Sequence, residues 1–213
     1  MRDNPDFGLD NREAIKELIR GNPWCTFISA VPDRGLVASH YPVLLDEAAE
    51  DIALLSHVGR PDEEKHELGR HEMLAIIEGP NGYISPSWYG YRPNVPTWNF
   101  VVAHLHGTPE ILGDEENLAI LDRLVEHFEK PLPEPHYLHA TAANGEYAYR
   151  IAKGTVGFRL RVRRLEAKEK MNQDKSEATV RRILEELRKP GPYTNHRLAS
   201  RMAVVNGLER ESK

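Results

Sequence analysis

The feature that most constrains the fold is a series of short strand-like segments in the first half of the chain, with no helical pattern between them. Each is apolar and β-branched, and turn residues such as Pro32 and Gly35 bound them. A parallel doubly wound sheet needs a helix between successive strands, so the pattern favours a mostly β fold, a small antiparallel barrel with peripheral helices outside it. The predicted strands are Trp24–Val31, Leu36–Leu45, Ile52–Val58, Met73–Ile77 (closed by Gly79-Pro80), Phe100–His106 and Thr155–Val162.

Apolar residues at helical spacing predict helices at both ends of the chain and between the last two strands. Asp10 is the predicted N-cap of the first, and Ser176 that of the helix ending at Lys189. The other predicted helices are Asp114–Lys130, a short one near His139–Ala143, and His196–Val205. In the last strand apolar residues alternate with arginines, which predicts one buried face, made of Val156, Phe158, Leu160 and Val162.

Composition narrows the class of protein. A chain of 213 residues with 40% apolar and 29% charged residues is typical of one globular domain, or of one domain with a small appendage. No apolar run approaches the ~20 residues of a membrane span, and the N-terminus lacks the apolar core of a secretory signal. The single Cys25 cannot form an internal disulfide, so we expect a cytoplasmic protein.

The charge is uneven along the chain. The net charge is −5, but residues 159–189 carry +5 and the rest −10. The basic part is suited to a phosphate, a nucleic acid or an acidic neighbour, or it is a solvated face with internal ion pairs. The negative total argues against a chain that coats nucleic acid.

The most unusual segment runs from Gly79 to Gly107 and holds four prolines, two tryptophans and three tyrosines. Long aromatic loops within a compact domain are more often functional than spacers. The aromatic side chains suit stacking on a planar ligand, or else they plug one end of a barrel. They are Tyr83, Trp88, Tyr89, Tyr91 and Trp98.

A second polar segment, Ser56–Pro61 with Lys65 and His66, leaves the third predicted strand. Hydroxyl, imidazole and guanidinium groups together suit a phosphate, although a lone arginine in a turn is often only solvated. No Walker or dinucleotide-binding glycine pattern occurs. The histidine spacing matches no metal signature, no nucleophile elbow is present, and Cys25 is expected in the core, so we assign no metal ligand and no catalytic residue.

The block GPNGYISPSWY…NVPTWNFVVAHLHG resembles the PaiB-type family of FMN-binding negative transcriptional regulators. Further matching blocks follow in the family's order over roughly residues 4–190. They are Asn4–Phe7, His40–Leu45, Ser56–Val58 with Arg60, Val156–Phe158 and Lys170–Gln173.

The resemblance implies a split β-barrel of the FMN-binding, pyridoxamine-phosphate-oxidase-like type, built as a homodimer with flavin at the subunit interface. It implies a barrel over residues 1–165 and a C-terminal helical extension over 166–213. By the same resemblance, His40, Ser56, His57, Arg60 and Lys65 hold the FMN phosphate. Trp88, Thr97, Trp98 and Asn99 lie near the ring or the dimer seam, and Lys170 and Gln173 close the site.

Three functions stay open at this stage. The first is flavin binding with weak oxidoreductase activity, with haem as an alternative cofactor because related split barrels bind it. The second is DNA binding by a regulator, with Arg181, Arg182 and Arg197 as the cations to test. The third is a cofactor-free dimeric module, because Pro61–Glu67 and Asn172–Asp174 depart from the family pattern. Separately, we expect the segment Glu166–Lys175 to be either an exposed linker or part of an anion site.

Overall fold

A computed structural model describes residues 5–208, which leaves Asn4 of the first resembling block outside the described residues. Within that range there are eight strands and six α-helices. The strands are β1 (Trp24–Val31), β2 (Gly35–Leu45), β3 (Ala53–Gly59), β4 (Met73–Ile84), β5 (Thr97–Gly107), β6 (Pro109–Ile111), β7 (Thr155–Arg161) and β8 (Arg164–Lys170). The helices are α1 (Arg12–Gly21), α2 (Arg60–His66), α3 (Asp114–Glu129), α4 (Ala142–Ala152), α5 (Glu177–Arg188) and α6 (His196–Val205).

The strands form one sheet in the order β6-β7-β3-β2-β1-β4-β5-β8. The pairs β1–β2, β1–β4, β2–β3, β3–β7 and β6–β7 are all antiparallel. The β1–β2 hairpin closes with Val31 opposite Gly35, and its turn uses left-handed backbone at Asp33 (φ 60°) and Gly35 (φ 82°). The mostly β prediction with peripheral helices is therefore confirmed.

The chain divides into two compact units. The larger unit comprises Arg12–Ile77 and His104–Leu165, and its core includes Phe27, Leu54 and Phe158, which are fully buried. The smaller unit comprises residues 5–11, 78–103 and 166–208 of the described chain. The predicted division between residues 165 and 166 stays a prediction.

The smaller unit is built on α5 and α6. Ser176 caps α5 by accepting from Thr179 N, as predicted, and α6 has the predicted bounds. Both helices are amphipathic, and their apolar faces are buried, as is Met171 between β8 and α5 in the chain. No helix within residues 5–208 has the length and apolar character that crossing a bilayer requires.

Two predicted boundaries in the larger unit were wrong. Helix α1 begins at Arg12, so Asp10 is not its N-cap. Helix α4 begins at Ala142, inside the predicted segment His139–Ala143, and continues well past it to Ala152; Thr141 Oγ1 accepts from Asn144 N (3.1 Å) and so fixes the start. The interior Gly145 hid this helix from the sequence pattern.

Three further segments differ from the prediction. Strand β4 continues through Pro80 to Ile84, since a strand tolerates proline where no ladder donor is needed. The polar loop after β3 contains helix α2, whose first turn holds Pro61 and acidic residues that suit a helix start. The linker expected from Glu166 onward begins instead with β8, where Leu9 N donates to Ala167 O (3.1 Å).

Candidate functional site

The junction of β3 and α2 is held by Tyr41, a residue the sequence analysis did not single out. Its hydroxyl accepts from Gly59 N (3.1 Å) and donates to Asp62 Oδ2 (2.7 Å). This bond is the main cause that lowers the pKa of Asp62. Burial is the main cause that raises the pKa of Tyr41. No local pattern indicated this contact, since Tyr41 and Asp62 are 21 residues apart.

We expect Tyr41→Phe to destabilise the protein by about 1–2 kcal/mol at pH 7, because two hydrogen bonds of a half-buried group are lost. The part that belongs to Asp62 depends on pH. A carboxyl whose folded pKa is lowered stabilises the fold above its unfolded pKa of about 3.9, and this contribution is lost as pH falls through the folded pKa. The difference in the free energy of unfolding between wild type and variant should therefore decrease in acid. The part that remains there is the contribution of the hydrogen bond from Gly59 N.

Urea unfolding at pH 7 and at pH 3 measures this difference. The control is Tyr137→Phe, which changes an exposed tyrosine of the same unit. An equal loss at both pH values would contradict the role given to Asp62.

Of the residues predicted to hold a phosphate, Ser56 and His57 are neighbours in β3, so their side chains point to opposite faces. Ser56 is fully buried and donates from Oγ to Pro42 O (2.7 Å). Its hydroxyl is therefore already committed within the sheet. His40 is exposed on β2, with its ring stacked 6.5 Å from that of Trp24.

The predicted cations Arg60 and Lys65 lie on α2 and are exposed. Arg60 Nη1 donates to Glu63 Oε2 (3.0 Å), and Lys65 Nζ donates to Asp62 Oδ1 (3.1 Å). Exposed pairs of this kind contribute about 0–1 kcal/mol, so an anionic ligand can displace them. His66, also in this segment, is instead a core residue, because its two ring nitrogens lie 2.9 and 3.0 Å from the hydroxyls of Ser29 and Ser39.

His57 borders a cavity of about 510 Å³ in the larger unit. Its Nδ1 is buried and has no hydrogen-bond partner in the part of the chain that the structure describes. Burial lowers the pKa of His57, which favours the neutral ring near pH 7. The walls come from α3, α4 and the sheet and are mainly apolar; they include Pro42, Leu121, Leu124, Val125, Phe128, Tyr147, Ile151 and Thr155.

The cavity wall beside His57, together with Arg60 and Lys65, has the chemistry that suits FMN. The observation that supports this is the buried Nδ1 of His57, which has no hydrogen-bond partner in the described residues. A buried polar atom without a partner is rare in native proteins and points to a ligand or a water. The apolar cavity suits a flavin ring, and Arg60 and Lys65 supply cationic donors that suit its phosphate. The larger unit thus contains both the apolar surface that the flavin ring needs and the cationic groups that its phosphate needs.

The remaining predicted site residues belong to the smaller unit. Trp98 is exposed, Tyr83 and Trp88 are half-buried, and all three join Tyr193 in one aromatic cluster. Ring centroids lie 6.4 Å apart for Tyr83 and Trp98, 5.4 Å for Tyr83 and Tyr193, and 6.0 Å for Trp88 and Tyr193. The sequence pattern did not indicate Tyr193, because it lies far along the chain from the other three. Tyr89 and Tyr91, which were also predicted to stack on a ligand, stack on each other.

Two of the predicted polar residues in this unit serve the chain itself. Gln173 closes its own turn, because its Oε1 accepts from Met171 N and its Nε2 donates to Glu169 O, both at 2.6 Å. Asn99 is fully buried and donates from Nδ2 to Asn172 Oδ1, while its own Oδ1 has no partner among residues 5–208. Lys170 Nζ donates to Thr97 Oγ1, so these two predicted residues do meet.

Within residues 5–208, no group of three His, Cys, Asp or Glu side chains is arranged to hold a metal ion. His71 and His106 instead lie near carboxylates of Glu67 (2.7 Å) and Glu72 (3.4 Å).

The antiparallel sheet with its peripheral helices has the split-barrel fold. Among solved structures, it is similar to the FAD and haem binding protein from Mycobacterium smegmatis (TM-score 0.53, 17% identity, 76% of this chain and 72% of that one). It is also similar to the flavocytochrome Anf3 from Azotobacter vinelandii (TM-score 0.54, 12% identity, 77% and 69%). At these identities the likeness concerns the fold alone.

The family model described as "Putative FMN-binding domain" matches residues 1–164, and the chain belongs to that family. Among curated proteins it is similar to the protease synthase and sporulation protein PAI 2 of Bacillus subtilis. The two are 28% identical over 186 residues, which cover 85% of this chain and 86% of that protein. The resemblance to the PaiB type is therefore confirmed.

Proposed function

We propose that this protein binds FMN in the larger unit, with the ring in the cavity beside His57 and the phosphate near Arg60 and Lys65. The observation that carries the proposal is the buried, unpartnered Nδ1 of His57 at a cavity of about 510 Å³. That volume lies in the range of about 300–1,000 Å³ usual for small-molecule sites. Membership of the FMN-binding family supports the same cofactor.

In this proposal FMN supplies the electron chemistry and the chain supplies binding, orientation and electrostatics. On binding, Arg60 would release Glu63 and contact the FMN phosphate instead. Lys65 would likewise release Asp62 and contact the phosphate. The neutral ring of His57 forms a hydrogen bond to a polar atom of the cofactor, and the apolar side chains of α3 and α4 exclude water. Oxidoreductase activity is the expected use of such a site, and reduction of bound flavin by a nicotinamide donor would test it.

The test is a visible absorption spectrum of the purified chain, before and after addition of FMN, with gel filtration to remove free cofactor. Flavin bands that elute with the protein would support the proposal. A Soret band would favour haem and would contradict FMN as the cofactor. A protein that stays colourless with either ligand would favour the cofactor-free module.

Arg60→Ala is expected to weaken FMN binding by about 1.5–3 kcal/mol, or roughly 10–150-fold, because a charge-assisted bond to the phosphate is lost. Fluorescence titration of FMN measures this loss. Arg70→Ala is the matched control, since Arg70 is another exposed arginine of the same unit. An unchanged FMN affinity in Arg60→Ala would remove Arg60 from the site.

The homodimer, DNA binding and cytoplasmic location remain predictions. We propose the homodimer from the resemblance alone, and sedimentation equilibrium of the whole chain tests it. For DNA, Arg181 is exposed but paired with Glu177 (2.7 Å). If DNA binds, its affinity should fall steeply with salt, and neutralising Arg181, Arg182 and Arg197 should reduce that slope.

A further inference from the structure

A second cavity, of about 510 Å³, lies wholly within the smaller unit. It is bordered by Phe7 and Tyr89, by residues 93–97 before and at the start of β5, and by Lys170, Asn172, Asp174 and Lys175 at the end of β8 and beyond. Its volume is also typical of a small-molecule site. Residues 170–175 lie outside the part of the chain that the family model matches.

The charges around this cavity do not cancel. Lys175 Nζ forms an ion pair with Asp174 Oδ2 (2.7 Å). Lys170 Nζ has neutral contacts, the hydroxyl of Thr97 and the ring of Phe7 at 5.9 Å, while Asp174 acts on it only as a more distant charge. The cavity therefore carries one net positive charge, on a half-buried ammonium group.

The positive charge of Lys170 is poorly compensated by the groups around it. Burial is the main cause that lowers the pKa of Lys170, which means that the folded chain disfavours its charged form. An anion in the cavity would restore the missing electrostatic stabilisation. The local charge thus selects against cationic ligands.

Most of the rest of the cavity wall is apolar or aromatic, and Asn94 and Asn172 add two amide side chains. Phe7, Tyr89, Pro93, Val95 and Pro96 contribute rings and an aliphatic side chain. Such walls favour a planar or apolar body, and the prolines lower the entropy lost on binding.

We infer that this cavity binds a small organic anion, a carboxylate on a planar apolar body, with the carboxylate on Lys170 Nζ. The inference does not rest on the proposed flavin site, whose residues belong to the other unit. It gives Lys170 and Thr97 a ligand different from the FMN that the resemblance implied for them.

Calorimetric titration of the full chain with benzoate and with benzamide tests the inference, because the two probes have the same shape and differ in charge. Benzoate should bind, and benzamide should bind at least about 10-fold more weakly. Lys170→Met should weaken benzoate by about 10-fold or more. Lys189→Met is the matched control, since Lys189 is an exposed lysine of the same unit that pairs with Glu186, and it should leave benzoate affinity unchanged.

Asp174→Asn gives a second variant with the opposite expected sign. Removing this carboxylate should tighten benzoate several-fold, a gain that a damaged fold cannot produce. Equal binding of the two probes, no binding of benzoate, or unchanged affinity in Lys170→Met would each overturn the inference.

Competition separates this site from the flavin site. If FMN displaces benzoate and Lys170→Met weakens both equally, the cavity belongs to the flavin and the inference of a separate ligand is wrong. A chain that binds benzoate through Lys170 but takes up no FMN would support this inference while contradicting the proposed function.

Discussion

Truncation of Phe158 to alanine should destabilise the protein by about 3–5 kcal/mol, the usual loss when a buried phenylalanine leaves a cavity. Phe158 lies on β7, a strand between β3 and β6, and its side chain is fully buried. Its ring meets that of Phe27 edge to face, with centroids 5.4 Å apart. This aromatic pair adds to the free energy of burial and is lost with it.

Urea unfolding followed by circular dichroism measures the change in the free energy of unfolding. Phe128→Ala is the matched control, since its side chain is 46% exposed and its truncation should change stability by less than about 1 kcal/mol. Similar losses for the two variants would show that the β7 core does not hold the larger unit together.

Removal of the cation from the Arg201–Glu169 pair should destabilise the protein by about 3 kcal/mol. Arg201 on α6 donates from Nε and Nη2 to the two carboxylate oxygens of Glu169, the second at 3.0 Å. Glu169 lies on β8 and is buried, with 7% of its surface exposed. Arg201→Met would therefore leave a buried carboxylate without its partner.

A double-mutant cycle tests this explanation. Glu169→Met in the Arg201→Met background should recover much of the lost stability, because no buried charge then remains unpaired. The control Arg181→Met breaks the exposed pair with Glu177 and should change stability by no more than about 0.5 kcal/mol. No recovery in the double variant would mean that the loss comes from packing of the Arg201 stem.

Much of the fold could be predicted from local patterns. The alternation in β7 correctly placed Val156, Phe158 and Leu160 in the core, and Val162 is half-buried. The bounds of β1 and α6 were also correct. Strand β8 was missed because its residues, among them Lys168 and Glu169, show no apolar alternation that reveals a strand.

The candidate site was less predictable, because residue type does not tell whether a polar group already has a partner. Ser56, Gln173 and His66 look equally suited to a ligand in the sequence, yet each makes its hydrogen bonds within the fold. His57 and Lys170 differ from these three: Nδ1 of His57 has no partner in the described residues, and the contacts of Lys170 within residues 5–208 include the neutral hydroxyl of Thr97 and the ring of Phe7.

The sequence by itself determined the strand periodicity, most helices and the family, because these depend on residues close together in the chain or on long specific blocks. The tertiary structure alone decided which polar groups are left for ligands. The reason is that the deciding contacts join distant residues, 21 positions apart for Tyr41 and Asp62 and 73 for Thr97 and Lys170. Such contacts exist only when the sheet brings their strands and turns together.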